Sequence, residues 1–255
     1  MENAAPDTAP MKAIVLGGSK GIGRAIAQSL AAEGALVAVG ARHAEPLREL
    51  QADGAASNHP IHVAPCDVTN PASVEQFILE AADALHGIDA LINCASSFSQ
   101  TNDEESWAAA FNTDLMGSVR AVNAALPFLM RSARGAIVNM SSVGARQAAP
   151  DRLPYVAMKA ALEQYTASAA RLYAQAGIRV NCVVVGSTDF PGSVWDGIRR
   201  ADFARWERTR KAIPLGGFAK PENIADAVRF LISAQAGWIT GQCIAVDGGQ
   251  TAGRG

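Results

Sequence analysis

Short apolar runs rich in β-branched residues alternate along this chain with longer stretches whose apolar residues recur at helical spacing. The runs fall at Lys12–Leu16, Ala35–Gly40, Ile61–Pro65, Ile88–Asn93, Gly135–Ser141, Ile178–Val185 and Gln242–Val246. Helices are predicted near Ile22–Glu33, Glu45–Asp53, Pro71–Leu85, Glu105–Arg131, Tyr155–Gln175 and Pro221–Ser233. Most strands are apolar throughout rather than at every second residue, as a parallel sheet covered on both faces requires. The pattern therefore predicts an α/β class with a single doubly wound, parallel, seven-stranded sheet flanked by helices. Boundary residues agree. Thr69-Asn70-Pro71 places a cap before a first-turn proline, and Gly34, Gly87 and Gly177 each follow a helical stretch. Pro191–Pro214 breaks the rhythm and reads as a helical insertion after the sixth strand.

Composition narrows the function classes. Lys and Arg total 22 against 24 Asp and Glu, a net charge of −2, so the basic excess of a nucleic-acid binder is missing. No apolar run reaches the roughly 18–20 residues of a membrane helix. Residues 1–10 are acidic, rich in Ala and Pro, and lack a targeting pattern. They are expected to form a short disordered tail before a single domain spanning 11–255. Cys66, Cys94, Cys182 and Cys243 are far apart in sequence and lie in apolar contexts. They read as free thiols of a reducing, cytoplasmic compartment. His59 and His62 read as a loop or strand-edge pair, so no metal is expected.

The first predicted strand runs directly into Gly17-Gly18-Ser19-Lys20-Gly21-Ile22-Gly23 and then a helix. Gly17 permits a tight turn, and Gly21 and Gly23 remove side chains where a pyrophosphate approaches the backbone and the helix approaches the sheet. The helix N-terminus offers unpaired N–H groups and a positive dipole end to the phosphate. A Rossmann-type dinucleotide site follows, although the spacing is Gly-x-x-x-Gly-x-Gly rather than the commoner Gly-x-Gly-x-x-Gly.

Tyr155 and Lys159 stand four apart on one helix face, so phenol and ammonium can share a cleft. A free tyrosine, with a pKa of about 10, is a poor proton donor at neutral pH, and a nearby cation favours its phenolate. A phenol tuned in this way can protonate a carbonyl oxygen as hydride reaches the carbon, or run the reverse. Ser142 ends the fifth strand, thirteen residues before Tyr155. The carboxyl end of a strand is where open α/β sheets bind ligands, so its hydroxyl can donate to the same oxygen.

Together these motifs resemble the short-chain dehydrogenase/reductase family over nearly the whole chain, from Lys12 to Gly249. The resemblance implies Tyr155 as acid/base, Lys159 on the nicotinamide ribose, and Ser142 orienting the substrate oxygen. It implies a cofactor site including Ser19, Lys20, Ile22, Gly186 and Thr188. Asp67-Val68 matches the adenine-contacting segment, and Leu91-Ile92-Asn93-Cys94-Ala95 resembles the family's Asn-Asn-Ala-Gly segment, with Asn93 and Ala95 near cofactor. Asn181 and Gly186 fit the Asn…Pro-Gly segment, and Val246-Asp247-Gly248-Gly249 the C-terminal signature. It further implies a homotetramer, built through the Glu105–Arg131 and Tyr155–Gln175 helices.

Departures from the family pattern are Leu16, Cys94, Ser96, Val185 and Phe190. Asp114, before Leu115-Met116-Gly117, occupies the position of the family's fourth catalytic residue, normally Asn. It is expected to accept from a relay water or to pair directly with Lys159. The second strand ends Val39-Gly40-Ala41-Arg42-His43 with no carboxylate for ribose hydroxyls. Arg42, aided by Lys20, is placed for a 2′-phosphate, so NADP(H) is expected in preference to NAD(H). The insertion should cover a small-molecule carbonyl or alcohol substrate. Its Trp195, Phe203 and Trp206 are read as packing inward while its arginines and Lys211 form a solvated face. An aromatic, basic lid over an aromatic or acidic substrate is the alternative. Arg146 is a candidate substrate contact. The leading function is NADP(H)-dependent reduction of a carbonyl. The rival is a dinucleotide-binding redox-sensing or structural protein without turnover.

Overall fold

A computed structural model describes residues 9–252. Seven strands form one wholly parallel sheet: β1 (Lys12–Leu16), β2 (Leu36–Ala41), β3 (Ile61–Pro65), β4 (Ala90–Asn93), β5 (Ala136–Ser142), β6 (Arg179–Val185) and β7 (Cys243–Val246). Their spatial order is β3-β2-β1-β4-β5-β6-β7. The order reverses between β1 and β4, which opens a crevice at the carboxyl ends of these strands.

Alternate residues along each strand enter opposite apolar layers. Val15, Val39, Ile92, Val138 and Val183 join one buried cluster, while Ile14, Leu91, Ile137 and Val180 join the other. The first layer is covered by α1 (Gly21–Ala32) and later by α9 (Pro221–Ile232), through Ile26, Leu30, Val228 and Leu231. Helix α2 (Ala44–Ala56) extends this layer with Leu47 and Leu50. The second layer is covered by α3 (Pro71–Ala84), which supplies Phe77 and Ile78. Two faces of equal apolarity explain why the strands are hydrophobic throughout.

Asn70 caps α3 by accepting from the Ala72 and Ser73 N–H groups, and Pro71 opens the helix. Gly34, Gly87 and Gly177 adopt positive φ after their helices. Inside the sheet, Asn93 Nδ2 donates to Asn139 Oδ1 (2.9 Å), and Asn139 Nδ2 donates to Thr166 Oγ1 (2.9 Å). Thr166 lies on α6 (Leu153–Tyr173), so this buried polar chain ties β4, β5 and α6 together.

Two expectations are corrected, and the free-thiol reading gains one detail. The helix expected over Glu105–Arg131 is α4 (Glu104–Ala110), a π turn (Phe111–Leu115) and α5 (Met116–Leu129). The wider turn brings Asp114 to complete burial. Cys182 and Cys243, distant in sequence, sit opposite each other in the register of β6 and β7, as free thiols. Arg134 donates to the carbonyls of Ala9 and Pro10, so that end of the expected tail is held against the body. Residues 1–8 of the expected tail lie outside the described residues.

The insertion forms α7 (Val194–Ala201) and α8 (Phe203–Ala212). No helix among the described residues is long and apolar enough to cross a membrane. Asn70→Ala should lower the unfolding free energy by about 1 kcal/mol, as loss of a helix cap does. Urea unfolding followed by circular dichroism checks this, with an unchanged denaturant slope.

Candidate active site

A cleft of about 730 Å³ opens at the crevice between β1 and β4. Gly17, Ser19, Lys20, Gly21, Ile22, Gly23, Arg42, Val68, Ala95, Ser142, Tyr155, Lys159, Gly186 and Thr188 all line it. The glycine turn is shaped by close approach. Gly17 has φ +79°, and a Cβ there would lie 2.6 Å from the Ala95 backbone. A Cβ on Gly23 would meet the Gly17 carbonyl at 2.3 Å. Helix α1 starts at this turn with no side-chain cap, so its first N–H groups face the cleft's phosphate-sized end unclaimed by side chains. Lys20 and Arg42 stand at the same end, and no Asp or Glu is among the described residues lining the cleft. The cradle and its charge therefore fit a phosphorylated dinucleotide.

Tyr155 and Lys159 rise from the first turns of α6, and both are buried. The Lys159 Nζ lies 5.6 Å from the centre of the Tyr155 ring. Its counter-charge is Asp114, whose Oδ1 is 3.1 Å away. Burial acts to strip the proton from Lys159, but attraction to Asp114 and to the phenol oxygen outweighs it and holds the ammonium above its ordinary value. Asp114 also accepts from Ser96 Oγ, from Ser97 N (3.0 Å) and from Ser97 Oγ (2.7 Å). The carboxylate is thus enclosed by an ammonium and three donors. Of the two arrangements expected, the direct ion pair is the one present.

Ser96 and Asp114 are both departures from the family pattern, and the hydrogen bond between them makes them one unit. Their pairing was a signal the sequence carried, and it was missed. Also missed were Phe98 and Cys94. Phe98, at φ +49°, stacks on Tyr155 with ring centres 5.4 Å apart. Cys94 lines the cleft, and burial pushes its thiol up to about 11 against the pull of Lys159. Ser142 caps a short 3₁₀ turn by accepting from Gly144 N (3.2 Å), and its hydroxyl hydrogen remains available to the cleft.

Some expected residues stand elsewhere. Asn93 does not line the cleft, because its amide is used in the buried chain to Asn139. Asp67 lies beside it rather than in its lining. Burial opposes its charge, yet the Thr69 N–H and hydroxyl, with Arg42 and Arg120 nearby, hold its carboxyl below the usual range. Asp114 lies behind Lys159. Arg146 turns away from the cleft. It pairs with Glu163 (3.1 Å) and donates to the Cys243 carbonyl (3.0 Å), so it is not a substrate contact here.

In the insertion, Trp195 and Trp206 pack on Phe218 at 4.8 and 5.3 Å. Phe203 departs from the inward packing expected of it: it stacks on Trp206 and stays 61% exposed. Arg199 and Arg200 pair with Asp196, and Arg210 and Lys211 with Glu207. Local carboxylates absorb these cations, so the insertion presents Val194 and Trp195 to the cleft rather than its charge.

A dinucleotide cradle at the switch point of a doubly wound sheet, facing a Ser-Tyr-Lys cluster, defines a nucleotide-dependent oxidoreductase. Residues 17–251 match the family model described as Enoyl-(Acyl carrier protein) reductase. The chain is 32% identical to 2,3-dihydro-2,3-dihydroxybenzoate dehydrogenase of Bacillus subtilis (strain 168), over 94% of this chain and 96% of that protein. It is 34% identical to the 3-oxoacyl-(acyl-carrier-protein) reductase FabG of Vibrio cholerae, over 93% and 96%. A short-chain dehydrogenase from Burkholderia cenocepacia J2315, solved in complex with NADP, superposes with a TM-score of 0.86 at 31% identity, covering 95% and 98%. The chain belongs to the short-chain dehydrogenase/reductase family.

Asp114→Ala should cost about 3–5 kcal/mol of stability at pH 7, because it leaves a buried ammonium unpaired. Adding Lys159→Met should recover most of it. The raised Lys159 value means this contribution is complete at pH 7 and fades only as pH climbs past the ordinary lysine value of 10.5. Urea unfolding of the two variants at pH 7 reads both effects.

Proposed function

We propose that this protein is an NADP(H)-dependent oxidoreductase that reduces a carbonyl, or oxidises the corresponding secondary alcohol, with Tyr155 as acid/base. The observation that carries the reading is the convergence of Ser142, Tyr155 and Lys159 with the glycine turn in one cleft. The NADP-bound relative and the reductases above support it. A bound nicotinamide would supply or accept the hydride. Its phosphates would lie against the Gly17–Gly23 turn and the start of α1, with Lys20 and Arg42 at the 2′-phosphate.

Ser142 donates its hydroxyl hydrogen to the substrate oxygen and holds the carbonyl against the phenol. Tyr155 gives its proton to that oxygen in reduction and takes it back in oxidation. Lys159 keeps a positive charge beside the phenol, so the phenolate left after proton transfer is compensated. Asp114 keeps Lys159 charged and fixed through a direct ion pair. Phe98, stacked on the phenol, screens it from solvent on one side.

The chain is further proposed to act in the cytoplasm as a homotetramer, through α4, α5 and α6. Trp107 on α4, Phe111 at the start of the π turn and Leu172 on α6 are exposed in the single chain, which supports that assembly. Light scattering coupled to size exclusion should give four times the mass of one chain. A monomer would remove this part of the reading.

Tyr155→Phe should reduce turnover of a ketone panel by roughly 10²–10⁴-fold, the usual worth of a positioned acid/base. NADPH binding, followed by its fluorescence, should persist. Binding of NADPH without turnover by the wild-type protein across ketones, quinones and 3-oxoacyl thioesters would instead favour a redox-sensing role. Arg42→Ala should raise the Kd for NADPH roughly 10–100-fold, as loss of a charged hydrogen bond does, while that for NADH changes little. Equal wild-type use of both coenzymes would defeat the NADP(H) assignment.

A further inference from the structure

The cleft has a cation that neither the cofactor nor the phenol accounts for. Four cationic side chains line it: Lys20, Arg42, Arg152 and Lys159. Lys20 and Arg42 belong to the phosphate end, and Lys159 is neutralised by Asp114. Arg152 stands apart from these, as the residue just before α6, three before Tyr155. It is held only loosely. Its Nε and Nη2 reach Asp151 at 3.4 Å each, the outer limit of a hydrogen bond. Asp151 is half exposed, lies outside the cleft lining, and also accepts from Arg205 of α8 at 3.2 Å. Two guanidiniums thus share one solvated carboxylate, which leaves a net positive charge at the cleft that Tyr155 also lines. Apolar rings line the cleft on the substrate side of the phenol: Phe98 stacked on Tyr155, and Trp195 backed by Phe218.

From this arrangement we infer that the substrate carries an anionic group which Arg152 binds, attached to an apolar body that lies between Phe98 and Trp195. This deepens the oxidoreductase reading and rests on it. A guanidinium suits an anion with two oxygens, because its fork donates two parallel hydrogen bonds. Such an anion would displace the weak Asp151 contact rather than compete with a tight one. Arg152 then sets specificity by binding and orienting the substrate, and the proton transfer stays with Tyr155. The anion can be a carboxylate on the reacting compound or a phosphate on a pantetheine-type carrier, and matched pairs separate the two.

The test compares initial rates of NADPH oxidation for 3- and 4-acetylbenzoate against their methyl esters. A second pair is acetoacetyl-4′-phosphopantetheine against acetoacetyl-pantetheine. In at least one pair the anionic member should have a kcat/KM about tenfold or more above its neutral partner, carried mainly by KM, the scale of a charged hydrogen bond. Which pair shows it names the source of the anion. Arg152→Gln should bring that ratio to about one, and Arg152→Lys should restore part of it. Equal kcat/KM within both pairs, or a preference that survives Arg152→Gln, overturns the inference. If no ketone is reduced, the oxidoreductase reading fails separately, and binding still decides this one. The same ligands titrated into the NADP⁺-loaded protein, followed by tryptophan fluorescence, should bind more tightly as anions to the wild type and equally to Arg152→Gln. Equal binding of anionic and neutral ligands by the wild type would overturn it.

Discussion

A charged amine cannot remain buried in a protein interior unless a counter-charge sits within a few ångströms. Lys159 meets that condition through Asp114, and the Tyr155 end of the cleft is arranged around the pair. The carboxylate is itself enclosed by Ser96 and Ser97, which come from the segment after β4. The ammonium comes from α6, which follows β5. One ion pair therefore joins the loop beyond β4, the π turn and the helix that carries the phenol. The buried chain from Asn93 through Asn139 to Thr166 repeats that linkage one layer deeper, without charge. These two ties, with Phe98 stacked on the ring, place the phenol.

The architecture was readable because a parallel sheet covered on both faces leaves a one-dimensional trace. Each strand was found at its place, with some ends displaced by a residue or two, as at Ala90 and Ser142. The glycine turn and the Tyr155–Lys159 pair were readable for the same reason: their spacing is local. What depended on packing across the chain was not. The π turn has no composition of its own, since Phe111 to Leu115 reads as ordinary helix, and only the burial of Asp114 against Lys159 explains it. The Cys182–Cys243 juxtaposition needs the register of β6 on β7. Arg146 was placed in the cleft because it lies between Ser142 and Tyr155. That segment instead turns it toward Glu163, a carboxylate one helical turn beyond Lys159.

Charge in the insertion illustrates how sign alone misleads. Its arginines suggested a basic lid, yet Asp196 and Glu207 lie three or four residues from them on the same helices and claim most of the guanidinium groups. The positive field of the cleft comes instead from single residues on β2's end, the glycine turn and the start of α6. Such residues are few, and each sits where a helix or strand terminates, so their positions are fixed by backbone geometry rather than by side-chain competition.

The π turn carries one residue more per turn than the helices on either side of it. Because each residue of an α-helix advances the chain by about 100°, that surplus rotates everything before it relative to everything after. Removing a single residue between Ala110 and Met116 would give a smoother helix and better backbone geometry. It would also swing either the Trp107 side or the Gly117 side of the rod out of phase with its neighbours. The irregularity thus works as a phase adjuster, letting one rod meet two surfaces whose spacings do not match.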